Sequence, residues 1–274
     1  MRPAEPILFA PRPTARTARG GWAGPAALRA LRVGGHGRVA VALRDGAYVE
    51  LTGGWLLVAP ARSPLGPMSL LADPLPLRPF AEGDAATTAR DALIVGSVRI
   101  ELDGLRALAR PAPPPRGADI GPALEAALAG QPCPLPELRA GLAALQAGDH
   151  AAAVARLAGR GPGLTPAGDD VLAGYAAWRH ADGGAPALAD AAAGRSAPLG
   201  LAYLRCAERG ELPQVAERVL HAVRAADAPA AARFARALDR WGATSGTALL
   251  WGIAAAARAD STGTPTVGPT IRSR

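Results

Sequence analysis

The N-terminal part of the chain shows a period-two pattern of apolar and polar positions, which is typical of β-strands. The alternation is clearest over residues 38–43 and 48–51, and the Asp45-Gly46 pair between them is a common hairpin turn. A second turn at residues 53–54 leads into another apolar run over residues 55–58. These features predict a β-meander.

The segments around the meander are less regular. Residues 92–102 predict one or two further strands, and residues 25–31 predict a short helix that ends at a Gly-Gly pair. Six prolines between residues 60 and 79 indicate an extended, irregular stretch with little room for a long helix. Residues 1–20 show no period and are predicted to form a loose arm.

Beyond residue 117 the apolar residues recur at intervals of three and four, which predicts helices. A proline-rich spacer at residues 111–117 separates the two patterns. The predicted helices cover residues 120–128, 135–145, 150–157, 166–179, 186–192, a stretch between Pro198 and Gly210, 215–225, 229–238, and an apolar stretch from Ala248.

The two patterns together predict an α+β protein, with a β-rich N-terminal domain followed by an α-helical C-terminal domain. The predicted limits are a loose arm at 1–20, the β-rich domain at 21–110, the linker at 111–117, the helical domain at 118–260 and a disordered tail at 261–274.

Composition limits the classes of partner. The net charge of +7 would suit nucleic acid, but all 30 basic residues are arginines and they are scattered singly, with no recognised nucleic-acid motif. We therefore predict no nucleic-acid binding. No secretory signal and no apolar run of about 20 residues is visible, so we expect a cytoplasmic protein that does not enter a membrane.

The sequence lacks lysine and asparagine, which excludes several kinds of catalytic site. Without lysine there is no Schiff base, P-loop lysine or Ser–Lys pair, and without asparagine there is no Cys-His-Asn triad. The two cysteines, Cys133 and Cys206, are far apart, and the four histidines show no metal-binding spacing. Neither structural zinc nor a disulfide framework is expected.

The densest group of candidate functional residues is GPGLTPAGDD at residues 161–170. Thr165 is predicted to cap the helix that follows, with Pro166 at its first position. Glycines ahead of a helix N-terminus leave N–H groups that favour an anion. Asp169 and Asp170 are candidates for proton transfer, for orienting a substrate amine or for binding a metal such as Mg²⁺. The structural alternative is a capped helix whose acids complement its dipole.

Two later segments combine glycine and hydroxyl residues ahead of an apolar helix in the same way. We call residues 161–170, 194–200 and 242–247 the first, second and third start segments. If they converge, they would form an anion or substrate pocket, in which Arg195 could clamp a carboxylate or phosphate. Alternatively, the small residues only allow buried helices to pack closely. The candidate binding residues are Gly161, Gly163, Thr165, Gly168, Arg195, Ser196, Thr244, Ser245 and Gly246.

These segments resemble a known family. GPGLTPAGDD is similar to the G-x-G-L-T-P-x-G-D-D signature of the domain-of-unknown-function family 2877, which includes the AllH subunit associated with bacterial oxamate carbamoyltransferase. Residues 195–210 resemble the family's R-T-T-x-x-S…L…A…G segment, and residues 241–247 resemble its G-H-S/T-S-G-x-D segment. The similarity covers most of residues 30–255.

The chain departs from the family pattern at several positions. Ala243 replaces the family's usual histidine and Thr247 its usual aspartate, and the threonine pair and later serine have become Ser196, Ala197 and Gly200. If those groups take part in chemistry, the chain is a divergent or differently specialised member.

The resemblance implies a role in ureide catabolism, where oxalurate and phosphate would give oxamate and carbamoyl phosphate. It also implies a small anionic substrate and partner subunits, one of which resembles acyl-CoA synthetase subunits. The first start segment would then bind the anion or substrate, and Asp169 and Asp170 would bind a metal or orient an amine. The alternative is a non-catalytic or regulatory subunit that scaffolds its partners, which the residues at 243 and 247 favour.

Overall fold

The computed structural model describes residues 16–133 and 135–261. The chain folds into two compact units, Met1–Ala109 and Arg110–Arg274. The first unit is rich in strands and the second is helical, so the predicted α+β class is confirmed. Residues 1–15 of the predicted arm (1–20) and residues 262–274 of the predicted tail (261–274) lie outside the described residues, while Ser261 is the last residue of a helix.

The described part of the first unit contains a nine-stranded sheet and one helix. The strand order is β5-β4-β3-β2-β6-β7-β8-β1-β9, and β1 also pairs with β5, so the sheet closes on itself. The helix α1 (Pro25–Val33) lies between β1 and β2 in the chain. The strands are β1 (Arg16–Ala23), β2 (His36–Ala42), β3 (Ala47–Leu51), β4 (Gly54–Pro60), β5 (Ser69–Asp73), β6 (Ala85–Thr88), β7 (Ala92–Val95), β8 (Val98–Glu101) and β9 (Arg106–Ala107).

The predicted meander is confirmed, because β2, β3 and β4 pair in antiparallel order through turns at or within one residue of the predicted ones. β1, β5, β6 and β9 were not predicted. Residues 16–20 belong to β1 rather than to a loose arm, because β1 is held by β8 on one side and β5 on the other. β5 lacks alternation because its first four residues are all buried, so its pattern does not reveal a strand among the prolines.

The described part of the second unit contains ten helical elements around one alanine- and leucine-rich core. They begin and end close to the predicted positions, which the apolar spacing and the glycines set. They are α2 (Gly121–Leu128), a short 3-10 helix (Pro136–Leu138), α3 (Arg139–Gln146), α4 (His150–Leu157), α5 (Ala167–Ala181), α6 (Leu188–Ala192), α7 (Pro198–Glu208), α8 (Gln214–Arg224), α9 (Ala228–Leu238) and α10 (Ser245–Ser261).

The helix α5 runs through the middle of this core, since every residue from Ala167 to Trp178 is buried. It packs along α10, and the two helices cross where Gly174 faces the backbone of α10 and Gly252 faces the backbone of α5. This crossing brings the N-terminal ends of both helices to the same region. Among the described helices, none is long and apolar enough to span a membrane.

Candidate functional site

The three start segments meet at the N-terminal end of α5. Thr165 Oγ1 lies 3.2 Å from Ser245 Oγ, which connects the first segment to the third. Ser196 Oγ donates a 2.7 Å hydrogen bond to Asp169 Oδ1, which connects the first segment to the second. The tertiary structure therefore brings together residues that are up to 80 positions apart in the chain.

Thr165 does not cap α5, contrary to the sequence prediction. The helix begins at Ala167, Pro166 occupies the cap position with an extended ψ of 139°, and no side chain caps it. The Thr165 hydroxyl instead faces Ser245 and hydrogen-bonds the carboxyl group of Asp170. The third segment thus supplies a partner that a reading of local sequence could not include.

Asp169 holds two neighbouring segments against α5. Its side chain is buried, and Oδ1 accepts hydrogen bonds from the backbone N–H of Gly159 at 2.8 Å and from Ser196 at 2.7 Å. The other oxygen, Oδ2, is also buried but has no hydrogen-bond partner in the part of the chain that the structure describes. It faces Gly200 so closely that a Cβ on that residue would lie 2.4 Å away. One half of this carboxyl group therefore has a structural role.

Asp170 is surrounded by hydroxyl groups. It is only 6% exposed, and the hydroxyls of Thr165 and Ser245 hydrogen-bond its carboxyl group. Its Oδ2 atom is buried without a hydrogen-bond partner among residues 16–133 and 135–261. The site thus contains two adjacent buried acids, each with one unsatisfied oxygen.

Burial controls the protonation of both acids. Removal from water raises the pKa of Asp170 well above its ordinary value; the nearby Asp169 raises it further, while the two hydroxyls act in the opposite direction. Burial also raises the pKa of Asp169, against the lowering effect of the Gly159 N–H and the Ser196 hydroxyl. Because each acid disfavours the charge of the other, the pair favours holding at least one proton.

Several predicted anion-binding glycines contact the chain itself. A Cβ on Gly168 would lie 1.9 Å from the carbonyl oxygen of Leu157, and one on Gly246 would lie 1.9 Å from that of Leu238. The N–H of Gly168 donates to the carbonyl of Arg160. At these two glycines the structure therefore shows close backbone packing, as the structural alternative expected.

The surface of the site is formed by the other candidates. Gly161 and Gly163 both have positive φ, of 104° and 102°, and a Cβ on Gly163 would have no neighbouring atom within 4 Å. Leu164 beside them is 44% exposed. Arg195 is exposed in the second segment, where its carbonyl oxygen packs against Gly159.

The residues of the third start segment, which include the positions 243 and 247 that depart from the family pattern, differ in their exposure and in their contacts. Thr244 is half-buried and its carbonyl accepts the N–H of Ala248, while Ala243 is exposed. The Thr247 hydroxyl bonds outside the carboxyl pair, since its one hydrogen is within reach of Asp239 Oδ1 at 3.1 Å and Gln131 Oε1 at 3.3 Å. The residue at 247 therefore contributes to packing between helices.

The metal prediction depends on the number of ligands that the site can offer. Within residues 16–133 and 135–261, no group of three or more His, Cys, Asp or Glu side chains lies close enough together to hold a metal ion. The carboxyl groups of Asp169 and Asp170 bond to different start segments. Mg²⁺ binding by this pair stays a prediction of the sequence.

Two residues near the site were not predicted from the sequence. Gly159 carries the N–H that binds Asp169, but its sequence context indicates only the end of α4. Gln131 is buried and accepts the indole N–H of Trp251 on its carbonyl at 3.1 Å. No local pattern could identify Gln131, since its partners lie more than 100 residues away.

The arrangement can accept or deliver a proton in a region shielded from bulk solvent. A buried acid with a raised pKa is suited to general acid–base catalysis at neutral pH, and its unsatisfied oxygen leaves one hydrogen-bonding position for a ligand. Searches of curated proteins and of solved structures gave no match to the chain. Residues 157–257, which contain all three start segments, match the family model described as oxamate carbamoyltransferase subunit AllH, and the resemblance inferred from the sequence is confirmed over that segment.

Proposed function

We propose that this chain is a subunit of an oxamate carbamoyltransferase-type enzyme and that its three start segments form the substrate site. The family match supports the proposal because it covers the segment in which these residues meet. The expected partners are the other subunits of such a complex, including one similar to acyl-CoA synthetase subunits.

The observation that carries the proposal is the buried Asp170 carboxyl with its unsatisfied Oδ2 atom. Leaving a buried polar atom without a partner costs about 1–3 kcal/mol. Asp169, which lies next to it, adds a second unsatisfied oxygen. Proteins keep a buried polar group with this unfavourable free energy where their function requires the group. If the position only had to pack, an apolar residue would pack there without the cost.

The chemistry of carbamoyl transfer uses such a group. Phosphate oxygen attacks the carbamoyl carbon of oxalurate, the C–N bond to the oxamate part breaks, and the departing nitrogen takes up a proton. In the proposal, neutral Asp170 supplies that proton and regains it in the reverse direction. Asp169 acts as a positioning residue through Gly159 and Ser196, and exposed Arg195 binds the substrate carboxylate.

Access to Asp170 requires movement of the residues that cover it. The first start segment is the candidate cover, since Gly161 and Gly163 adopt positive φ and Leu164 is exposed. Hydrogen exchange should therefore detect protection of residues 159–165 when substrate binds.

The direct test is calorimetric titration of the chain with oxamate, oxalurate, carbamoyl phosphate and phosphate, with and without Mg²⁺. Arg195→Gln should weaken binding about tenfold or more, as expected when a charge-assisted hydrogen bond is lost. Arg205→Gln is the matched control, because Arg205 is also half-exposed but pairs with Asp190 at 3.6 Å. Equal affinities of the two variants would refute the assignment of Arg195.

The catalytic role of Asp170 needs the assembled complex. Asp170→Asn should abolish turnover while the complex still assembles, whereas Asp190→Asn, at an 81% exposed carboxyl, should keep full activity. Retained turnover in Asp170→Asn would remove the acid–base proposal.

The second candidate function is a non-catalytic or regulatory subunit. The burial of both carboxyl groups favours it, as does the presence of Ala243 and Thr247 where the family has histidine and aspartate. It predicts that a complex containing the Asp170→Asn variant turns over normally. A complex prepared without this chain should instead fall apart or lose activity.

A further inference from the structure

A cavity of about 210 Å³ lies at the C-terminal end of α5, away from the carboxyl pair. Its walls come from α5, from α8, from the connection between α7 and α8, and from residues 110–113, all within the second unit. Asp170 precedes the first lining residue of α5, Ala177, by seven positions, which corresponds to about 10 Å along a helix axis. The cavity is therefore separate from the candidate site.

Cationic groups dominate the polar part of this cavity. Arg110 donates to Glu217 Oε1 at 3.0 Å and to the carbonyl of Gly210, while its buried Nε has no hydrogen-bond partner among the described residues. Arg209 also lines the cavity, and its guanidinium donates to the backbone carbonyl of Arg205 at 3.0 Å. The one carboxylate of the lining, Glu217, is already paired with Arg110. The lining therefore contains more guanidinium groups than carboxylates.

Neighbouring arginines also affect the protonation of the titratable groups that line the cavity. Arg110 and Arg224 lower the pKa of His221, in addition to the effect of burial. Burial raises the pKa of Glu217, while Arg110 and, to a smaller extent, Arg218 act in the opposite direction. His180 contributes a second ring, whose Nδ1 lies 3.0 Å from the Glu208 carbonyl. The lining thus contains two arginines and two histidines but one carboxylate.

The remaining walls are apolar and the volume is small. Leu212, Leu220 and Ala177 supply hydrocarbon surface, and the adjoining prolines close the other side. Pockets for drug-sized ligands measure about 300–1,000 Å³, so this one suits a smaller molecule.

We propose that this cavity binds a small organic oxyanion, whose carboxylate or phosphate group lies against Arg110 and Arg209 and whose carbon body lies against Leu212 and Leu220. The guanidinium groups of Arg110, whose side chain is 25% exposed, and of Arg209 supply the donors. Arginine is suited to this task because its planar fork matches both kinds of oxyanion. The inference does not depend on the proposed carbamoyltransferase function.

Calorimetric titration of the full chain with butyrate, acetate and inorganic phosphate tests the site, with butanamide as the uncharged analogue of butyrate. Butyrate should bind more tightly than acetate, and butanamide should not bind. Arg209→Gln should weaken butyrate binding about tenfold or more, without disturbing the Arg110–Glu217 pair. Arg205→Gln is the control, one turn earlier on α7, and should bind within about twofold of the unchanged chain. No heat with any anion, or equal affinity in Arg209→Gln, would overturn the proposal.

Histidine NMR locates the ligand. The chain has four histidines, of which His180 and His221 line the cavity while His36 and His150 do not. Butyrate should shift the ring resonances of the first two only. Binding that leaves both unmoved and is lost in Arg195→Gln would place the anion at the start segments and refute a site in this cavity.

Discussion

The crossing of α5 and α10 controls the distance between Asp170 and Ser245, because these two residues lie near the N-terminal ends of the two crossing helices. At the crossing, a Cβ on Gly174 would lie 2.0 Å from the carbonyl oxygen of Leu249. A Cβ on Gly252 would lie 2.0 Å from that of Val171. Gly174→Ala should therefore destabilise the helical unit and separate the two halves of the candidate site.

The magnitude follows from the size of the clash. Ordinary contact to a Cβ begins at 3.4 Å, so the backbones must separate by more than about 1 Å, which small side-chain movements cannot supply. Overpacking of this kind costs about 3 kcal/mol or more, and the better helix propensity of alanine returns about 1 kcal/mol. We expect a net loss of about 2 kcal/mol, which lowers the melting temperature of a unit this size by about 4–8 °C.

Urea unfolding followed by circular dichroism and tryptophan fluorescence measures the loss, since Trp178 on α5 is fully buried. Gly184→Ala is the control: nothing lies within 4 Å of its Cβ position, and stability should be unchanged or slightly higher. Gly174→Ala and Gly252→Ala together should cost less than the sum of the single changes, because both force the same separation. Additive losses, or a loss below about 0.5 kcal/mol in Gly174→Ala, would refute this account of the crossing.

Three further outcomes are expected. Because burial raises the pKa of Asp170, the folded state holds its proton more tightly than the unfolded state, so its contribution to stability falls as pH rises above the ordinary aspartate range. Asp170→Asn should therefore gain stability relative to the unchanged chain between pH 4 and pH 8 in urea titrations, and a constant difference would contradict this. Asp260 accepts from the indole N–H of Trp178 at 2.9 Å and from two arginines, so Asp260→Asn should cost about 2–3 kcal/mol in the same assay. Ser196→Ala removes one hydrogen bond to Asp169 and should cost about 1–2 kcal/mol, while Ser196→Thr should restore most of it in calorimetry.

Local signals predicted the elements that depend on local interactions. Helix α4 begins and ends where the apolar spacing predicts, at His150 and Leu157. The turn at Asp45-Gly46 lies between paired strands as predicted, and the second turn lies one residue before the predicted Gly53-Gly54, at Thr52-Gly53. Strands β1 and β5 escaped detection because their conformation depends on distant partners. Strand β5 is buried on both faces, so its sequence has no alternation to detect.

The sequence by itself determined the two-part organisation, the positions of most helices and the residues that gather at the candidate site. Only the tertiary structure decided how those residues are used. Thr165 bonds to Ser245 instead of capping its helix, and Gly168 faces a carbonyl of α4 instead of an anion. Both outcomes arise from contacts between segments far apart in the chain. Helix propensity and capping depend on the nearest few residues, whereas the burial of Asp170 and its unsatisfied oxygen depend on the packing of three separate helix starts.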